Sequence, residues 1–230
     1  MKIKISFLDS ELDFSVSNIY SLEVHNKKYL YRISKLFYML SNEINIDDLK
    51  AYDKNNEEIL ITNKIRFFTN YFDFNFNSKK YNNDIIKYII SNLEQYESEK
   101  ILKTYRKICE LLNKELLNKE LLKLDLPISV NVEEGITNVI KLLKYSINNK
   151  EELLDNLLLL IDLETILNSN KILCFINLKQ YLSKEELKEL YKYATYNSVN
   201  FILIDSIKYN CIKEYEKLII IDENLEDYMI

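Results

Sequence analysis

Two stretches of the chain end an apolar run on an acid. "LIIIDE" (residues 218–223) is four apolar residues followed by an acid pair, and "FILIDS" (residues 201–206) is close to it. At the carboxyl end of a buried strand, such an Asp can hold Mg²⁺ and such a Glu can orient water against a nucleoside triphosphate. That chemistry needs a partner loop. The common phosphate-binding loops require several glycines at fixed spacing, and the chain has one glycine, Gly135, and one proline, Pro127. Lys179 follows an apolar run but stands in no glycine context. The same shortage excludes a nucleophile elbow built on G-x-S-x-G. Four apolar residues before an Asp also end many buried strands, so Asp222 and Glu223 carry only an alternative reading, that of a degenerate P-loop-like NTPase.

The other reactive side chains are few. The single histidine, His25, precedes Asn26 at a helix entry, a structural position. Cys109, Cys174 and Cys211 lie far apart and in no metal spacing; their odd count fits reduced thiols in a cytosolic protein. Basic residues gather at Lys27, Lys28, Arg32 and Lys35, at Lys64 and Arg66, and at Lys79 and Lys80, with Tyr29, Tyr31 and Tyr81 interleaved. Such groups can contact phosphates, each neutralised phosphate adding a salt-dependent increment of affinity. Taken singly, each also fits a solvated helix face or loop. Glu133 and Glu134, near Asp125 and Asn131, offer oxygen ligands to Ca²⁺ without EF-hand spacing, and an acid pair equally suits a helix N-terminus.

These residues must be positioned by 230 residues that are 47% hydrophobic and 29% charged, with a net charge of −5. That suffices for one sizeable core, or a core and a smaller lobe. An acidic chain is a poor candidate for binding nucleic acid over its whole surface, but it can carry a local basic patch. The opening residues alternate charged and apolar types and do not read as a signal peptide. The longest apolar tract, residues 153–167, is broken by Asp155, Asp162 and Glu164 and is too short and charged to span a bilayer.

"KIKISF", "DFSVS" and "IYSLEV" read as strands. Residues 27–43 read as a helix, with Leu30, Ile33, Phe37 and Leu40 on one face; "LKAYD" and "EEILIT" read as strands around the turn "DKNNEE". From about Phe67 an aromatic, asparagine-rich connector leads into one or two long helices. "ELLNK" recurs there at Glu110 and Glu115. A five-residue period walks leucines around the helix, Leu112 and Leu116 facing one way and Leu117 and Leu121 another, so a partner subunit is expected to cover part of it. Leu126-Pro127 stops that helix, and "EELLDNLLLLIDLETIL" is a further apolar one.

Residues 171–206 then read as strand, helix, strand. Ser183 and Glu186 form a capping box. Leu187, Leu190, Tyr191 and Ala194 form the packing face. "ILCFI" and "FILI" are continuous apolar runs suited to burial on both sides. The expected fold is α/β: a head whose buried sheet resembles a degenerate nucleotide-binding fold (1–66 and 169–230), interrupted by an inserted all-helical leg (67–168).

Several stretches in order carry a resemblance: "KISFLDSELDF", "EEILITN…FFTNYFDFNFNS", "KILCFINLKQYLSKEELKELYKYATYNSVNFILIDS" and "EKLIIIDENLEDYMI". Together they resemble the small, ring-forming CRISPR-associated protein family of type II-A systems that acts in spacer acquisition, "FINLKQYLSKEEL" being the most specific match. The likeness spans nearly the whole chain and contains no catalytic signature. It implies a non-catalytic, cytoplasmic homotetramer, a ring with a basic central hole that takes the ends of linear double-stranded DNA and threads along it. It implies Ca²⁺ stabilising the assembly, and work beside the CRISPR integrase complex and the type II effector nuclease. Because the family's DNA contacts are distributed lysines, Lys27, Lys28, Lys64, Arg66, Lys79 and Lys80 are the expected DNA-binding residues. Asp125, Glu133 and Glu134 are the expected calcium ligands, with Pro127 and Ser129 among them. A ring also reconciles an acidic chain with DNA: cations line the hole while acids cover the outside. The rival reading is a protein-interaction scaffold whose leucine-rich leg binds another protein, DNA binding being incidental.

Overall fold

The computed structural model describes residues 1–117, 135–143, 145–206, 208 and 211–230. The chain divides into two units, Met1–Phe74 with Asn149–Ile230, and Asn75–Asn148 between them.

The first unit is built on a six-stranded sheet of β3 (Ile19–Val24), β6 (Ile65–Phe68), β7 (Ile172–Ile176), β8 (Asn200–Asp205), β9 (Glu216–Ile221) and β10 (Asp227–Met229). The order is β10-β9-β3-β8-β7-β6; all but β10 run parallel. A second, antiparallel sheet joins β1 (Lys2–Ile5), β2 (Glu11–Asp13), β4 (Leu49–Tyr52) and β5 (Glu58–Ile59) in the order β2-β1-β4-β5. Between the sheets runs helix α1 (Lys27–Ser41), which buries Ile33, Leu36, Phe37 and Leu40. One core unites these with Ile3, Ile5, Leu12 and Leu49 of the small sheet and with Leu22, Val24, Cys174, Ile202, Ile204, Ile219 and Ile221 of the large one. Each fully buried aliphatic side chain contributes about 1.5–3 kcal/mol.

Because strand side chains alternate, the neighbours of those residues turn to the opposite face. There lies α6 (Lys184–Tyr196), which buries Leu187, Leu190, Tyr191 and Ala194, the face its sequence marks out. Its capping box is formed: the Glu186 N–H donates to Ser183 Oγ at 3.2 Å and the Ser183 N–H to Glu186 Oε2 at 2.7 Å. Helix α5 (Leu153–Ile166) packs against α6, where the Tyr193 hydroxyl donates to Asp162 at 2.5 Å.

The boundary between units therefore falls after Phe74 and Asn148, not after 66 and 168. Helix α5 belongs with the α/β unit, held by a buried ion pair from Glu164 to Arg66 on β6. So does the aromatic segment following β6: Phe68 stacks on Phe175, with Tyr71 beside it. Strand β6 itself straddles the point, about Phe67, where the sequence reads as passing into a connector. It is four residues long, lacks alternation, and exists by parallel pairing with β7, about a hundred residues on.

The second unit contains α2 (Lys79–Asn92), α3 (Gln95–Leu117) and α4 (Ile136–Lys141). Ser78 caps α2, and α4 packs on both α2 and α3. Asn77 exchanges two hydrogen bonds with the backbone of Ile147, at 3.0 and 2.8 Å.

A chain with one glycine must find left-handed turn residues elsewhere. Six of the nine non-glycine residues at positive φ among those described are asparagines: Asn56, Asn63, Asn75, Asn168, Asn170 and Asn177. Asparagine tolerates that region because its short side chain bonds the local backbone. Gly135, at φ 162°, is simply extended.

Candidate functional site

In open parallel sheets the functional crevice lies beyond the carboxyl ends of adjacent strands whose onward connections diverge. Here those strands are β3 and β8: the chain leaves β3 towards β6 and leaves β8 towards β9. The end of β3 leads through His25 to Asn26, whose side-chain oxygen accepts from the Lys28 N–H at 2.9 Å and caps α1. The cap is tied to β9's end, since Asn26 Nδ2 donates to the Glu223 carbonyl at 3.1 Å and the His25 N–H to that of Ile221 at 2.9 Å. Beyond β7, Asn177 adopts φ 54°, and its Oδ1 accepts from the Ser206 N–H and hydroxyl at 3.2 and 3.3 Å.

The α6 face of the sheet carries an unusual set of buried polar groups. Glu23, Asp205, Glu216 and Lys179 are between 2% and 4% exposed. Lys179 sits in a 3-10 turn (Leu178–Gln180) after β7 and points under the sheet's cover instead of outward. Its Nζ donates to Ser21 Oγ and to Glu216 Oε2, each at 2.7 Å. The Tyr191 hydroxyl donates to the same carboxylate at 3.3 Å, and the Ile212 N–H donates to Oε1 at 2.7 Å. Glu216 is thus fully compensated, as a buried charge must be. The lysine nearest to a phosphate-loop position is spent on an internal pair.

Asp205 is the opposite case. It stands in register with Glu23 across β3 and β8, and neither of its oxygens has a hydrogen-bond partner. Burial pushes its carboxyl up to about 7; Lys179 opposes the rise, and the charges of Glu216 and Glu23 add to it. Glu23 is met by His25 Nε2 at 2.6 Å. Burial also holds the Cys174 thiol and the Tyr191 hydroxyl well above their ordinary values.

The expected DNA-contact residues divide between the units. Lys27 and Lys28 are exposed in the first turn of α1, and Lys64 is exposed in the turn before β6. Lys79, exposed, and Lys80, half-buried, open α2 in the other unit. Arg66 is a correction: it is 5% exposed and committed to Glu164, so it is a core residue with no face for a phosphate. Asp222 accepts from the backbone N–H groups of Asn224 and Glu226 at 2.8 and 2.9 Å, so it shapes the turn into β10. The expected calcium ligands Asp125, Glu133 and Glu134 lie outside the described residues; among the described residues no three acid, histidine or cysteine side chains gather to hold a metal. No helix of the described residues is long and apolar enough to cross a membrane.

Sequence reasoning singled out Lys179 and the acid of "FILIDS" but missed Glu23 and Glu216. Their signal is weak but present: Glu216 opens "EKLIII" and Glu23 interrupts "IYSLEV", acids inside strands otherwise apolar.

Residues 43–225 match the model of a family described as CRISPR-associated protein (Cas_Csn2). The crystal structure of Stu0660 of Streptococcus thermophilus superposes with a TM-score of 0.61 at 14% identity, covering 96% of this chain and 75% of that one. No curated protein sequence matches. At that identity the superposition speaks for the fold, and it agrees with the α/β architecture. The family match covers most of the chain, which therefore belongs to the Cas_Csn2 family of CRISPR-associated proteins.

Proposed function

We propose that this CRISPR-associated chain binds the ends of linear double-stranded DNA without catalysis, as a homotetrameric ring that supports acquisition of new spacers. The observation that carries this reading is the first turn of α1. Lys27 and Lys28 stand exposed at a helix N-terminus that has no acid in its first turn, and α1 has no acidic residue along its length. The helix macrodipole disfavours cations there, so folding alone gives no reason for them. A phosphate backbone does, since anions suit helix N-termini. The site lies at the carboxyl end of the central parallel strand, where ligands of such sheets bind. In the same unit Lys64 is a further exposed cation in the turn before β6; in the other unit Lys79, exposed, and Lys80, half-buried, open α2. Contacts of this kind are directed at phosphates and independent of sequence.

Enzymatic use of the sheet is disfavoured by the commitment of Lys179 to Glu216 and of Asp222 to its turn. The partners proposed with DNA are further copies of the chain, the CRISPR integrase complex and the type II effector nuclease; calcium held by Asp125, Glu133 and Glu134 belongs to the same proposal. One observation favours the scaffold alternative: Tyr96, Ile108, Leu142 and Leu143 expose apolar surface along a groove between α3 and α4.

Replacing Lys79 and Lys80 together by Glu separates the two. Weaker duplex binding with unchanged oligomeric state in sedimentation is the expected result. Unchanged binding would remove these lysines from the interface.

A further inference from the structure

Buried carboxylates are normally paired or hydrogen-bonded. On the α6 face, three carboxylates, Glu23, Asp205 and Glu216, share one ammonium, Lys179, and that ammonium is bonded to Glu216. Asp205 closes no hydrogen bond of ordinary geometry, the Lys179 backbone N–H acting on it only weakly, and it faces Glu23 in register on the adjacent strand. Two ionised carboxylates cannot rest side by side in a low-dielectric core. The groups acting on Asp205 from the elements around it are Glu23 on β3, Glu216 on β9, Lys179 in the 3-10 turn, Tyr191 on α6 and Tyr71 after β6. Lys179 is the only cation among them. The imidazole of His25 touches Glu23 at 2.6 Å.

A chain of contacts connects this cluster to the surface. Asp205 faces Glu23, Glu23 holds His25, and His25 and Asn26 are bonded to the end of β9. Asn26 caps the helix turn that carries Lys27 and Lys28. We propose that the carboxyl ends of β3 and β8 form a proton-linked switch: a proton on Asp205 keeps the strand ends closed, and its release to solvent, opposite Glu23, loosens the His25–Asn26 turn that presents Lys27 and Lys28 to phosphate. The role given to Lys27 and Lys28 rests on the duplex-binding reading above; the proton linkage does not.

The sign follows from the raised carboxyl of Asp205. The folded state holds a proton that the unfolded chain, with an ordinary Asp near about 3.9, gives up. This contribution is fully present below the unfolded value and is lost as pH rises to about 7, after which the profile is level. Duplex binding by the two lysines should weaken over the upper part of that window.

The test compares the full chain with Asp205→Asn, an isosteric neutral variant, between pH 5 and 8.5. The thermal midpoint of the wild type should fall from pH 5 to 7 by several degrees more than that of the variant, which should be the more stable protein at pH 8. Parallel profiles would overturn the switch. Should Asp205→Asn not fold, Glu23→Gln relieves the same repulsion while keeping an acceptor for His25, and the fall should become smaller and end at lower pH, because the Glu23 charge helps to raise the Asp205 carboxyl; an unchanged fall would overturn the switch equally. Duplex affinity at fixed salt, at pH 6 and pH 8, then reads the link to α1. A greater loss in the wild type than in Asp205→Asn supports it, and equal losses contradict it. No duplex binding at either pH would sink the duplex-binding reading, with the melting profiles still deciding the proton linkage.

Discussion

Lys179 and Glu216 show how one residue can decide what a fold is able to do. In an α/β sheet, a lysine just beyond a strand end is well placed for a phosphate. Here it turns inward and neutralises a glutamate 3% exposed. Breaking a buried pair by removing one partner leaves an uncompensated charge and costs about 3–5 kcal/mol. Lys179→Met should therefore lower stability by about that amount in urea denaturation. Adding Glu216→Gln should recover part of the loss, because the remaining polar atoms keep Tyr191 and Ile212 as partners. A single variant as stable as the wild type would show that the pair anchors nothing. With the lysine so engaged, MgATP should leave the thermal midpoint unchanged; a rise would revive the nucleotide reading.

The elements differ in how far the sequence specifies them. Helix α6 is legible from local signals alone: Ser183 and Glu186 mark its start and a four-residue apolar face marks its burial, and all of these are realised. Ser183→Ala should cost about 1 kcal/mol of stability, measured as a shift in the denaturation midpoint. Strand β6 and the allegiance of α5 were not legible, because both depend on partners remote in sequence: β6 on β7, and Glu164 of α5 on Arg66. That same remoteness disguised Arg66, whose neighbours Lys64 and Ile65 give no hint that one side chain is solvated and the other buried. The assembly of the buried cluster stayed invisible for the same reason: Lys179 and Asp205 stand out singly in the sequence, but only a parallel register brings Glu23 to Asp205 across most of the chain. The surface lysines of α1 were legible as charges but not as a position. Only the fold puts them at a helix start beyond the central strand. Replacing Lys27 and Lys28 by Glu should stabilise the helix by about 0.3–1 kcal/mol per residue through the macrodipole, while weakening duplex binding. A variant less stable than the wild type would mean that the lysines serve the fold.

At the scale of the whole molecule, an acidic chain and a polyanionic partner are compatible only if cations are gathered locally. The net charge is −5, yet α1 contains four cations and no acid. Affinity resting on such contacts must fall steeply with salt, by a slope of about 0.9 in logarithmic units for each phosphate neutralised. The Glu variants of Lys27 and Lys28, or of Lys79 and Lys80, should reduce that slope as well as the affinity. A closed ring adds a topological requirement that side-on binding lacks, namely a free end by which DNA can enter. The most direct measurement is therefore a gel shift at moderate salt comparing linear duplex with covalently closed circular duplex of the same sequence, with calcium present. Preferential binding of the linear form is the predicted result; equal binding of the two forms would contradict entry from an end and turn the interpretation to a scaffold that touches DNA from the side.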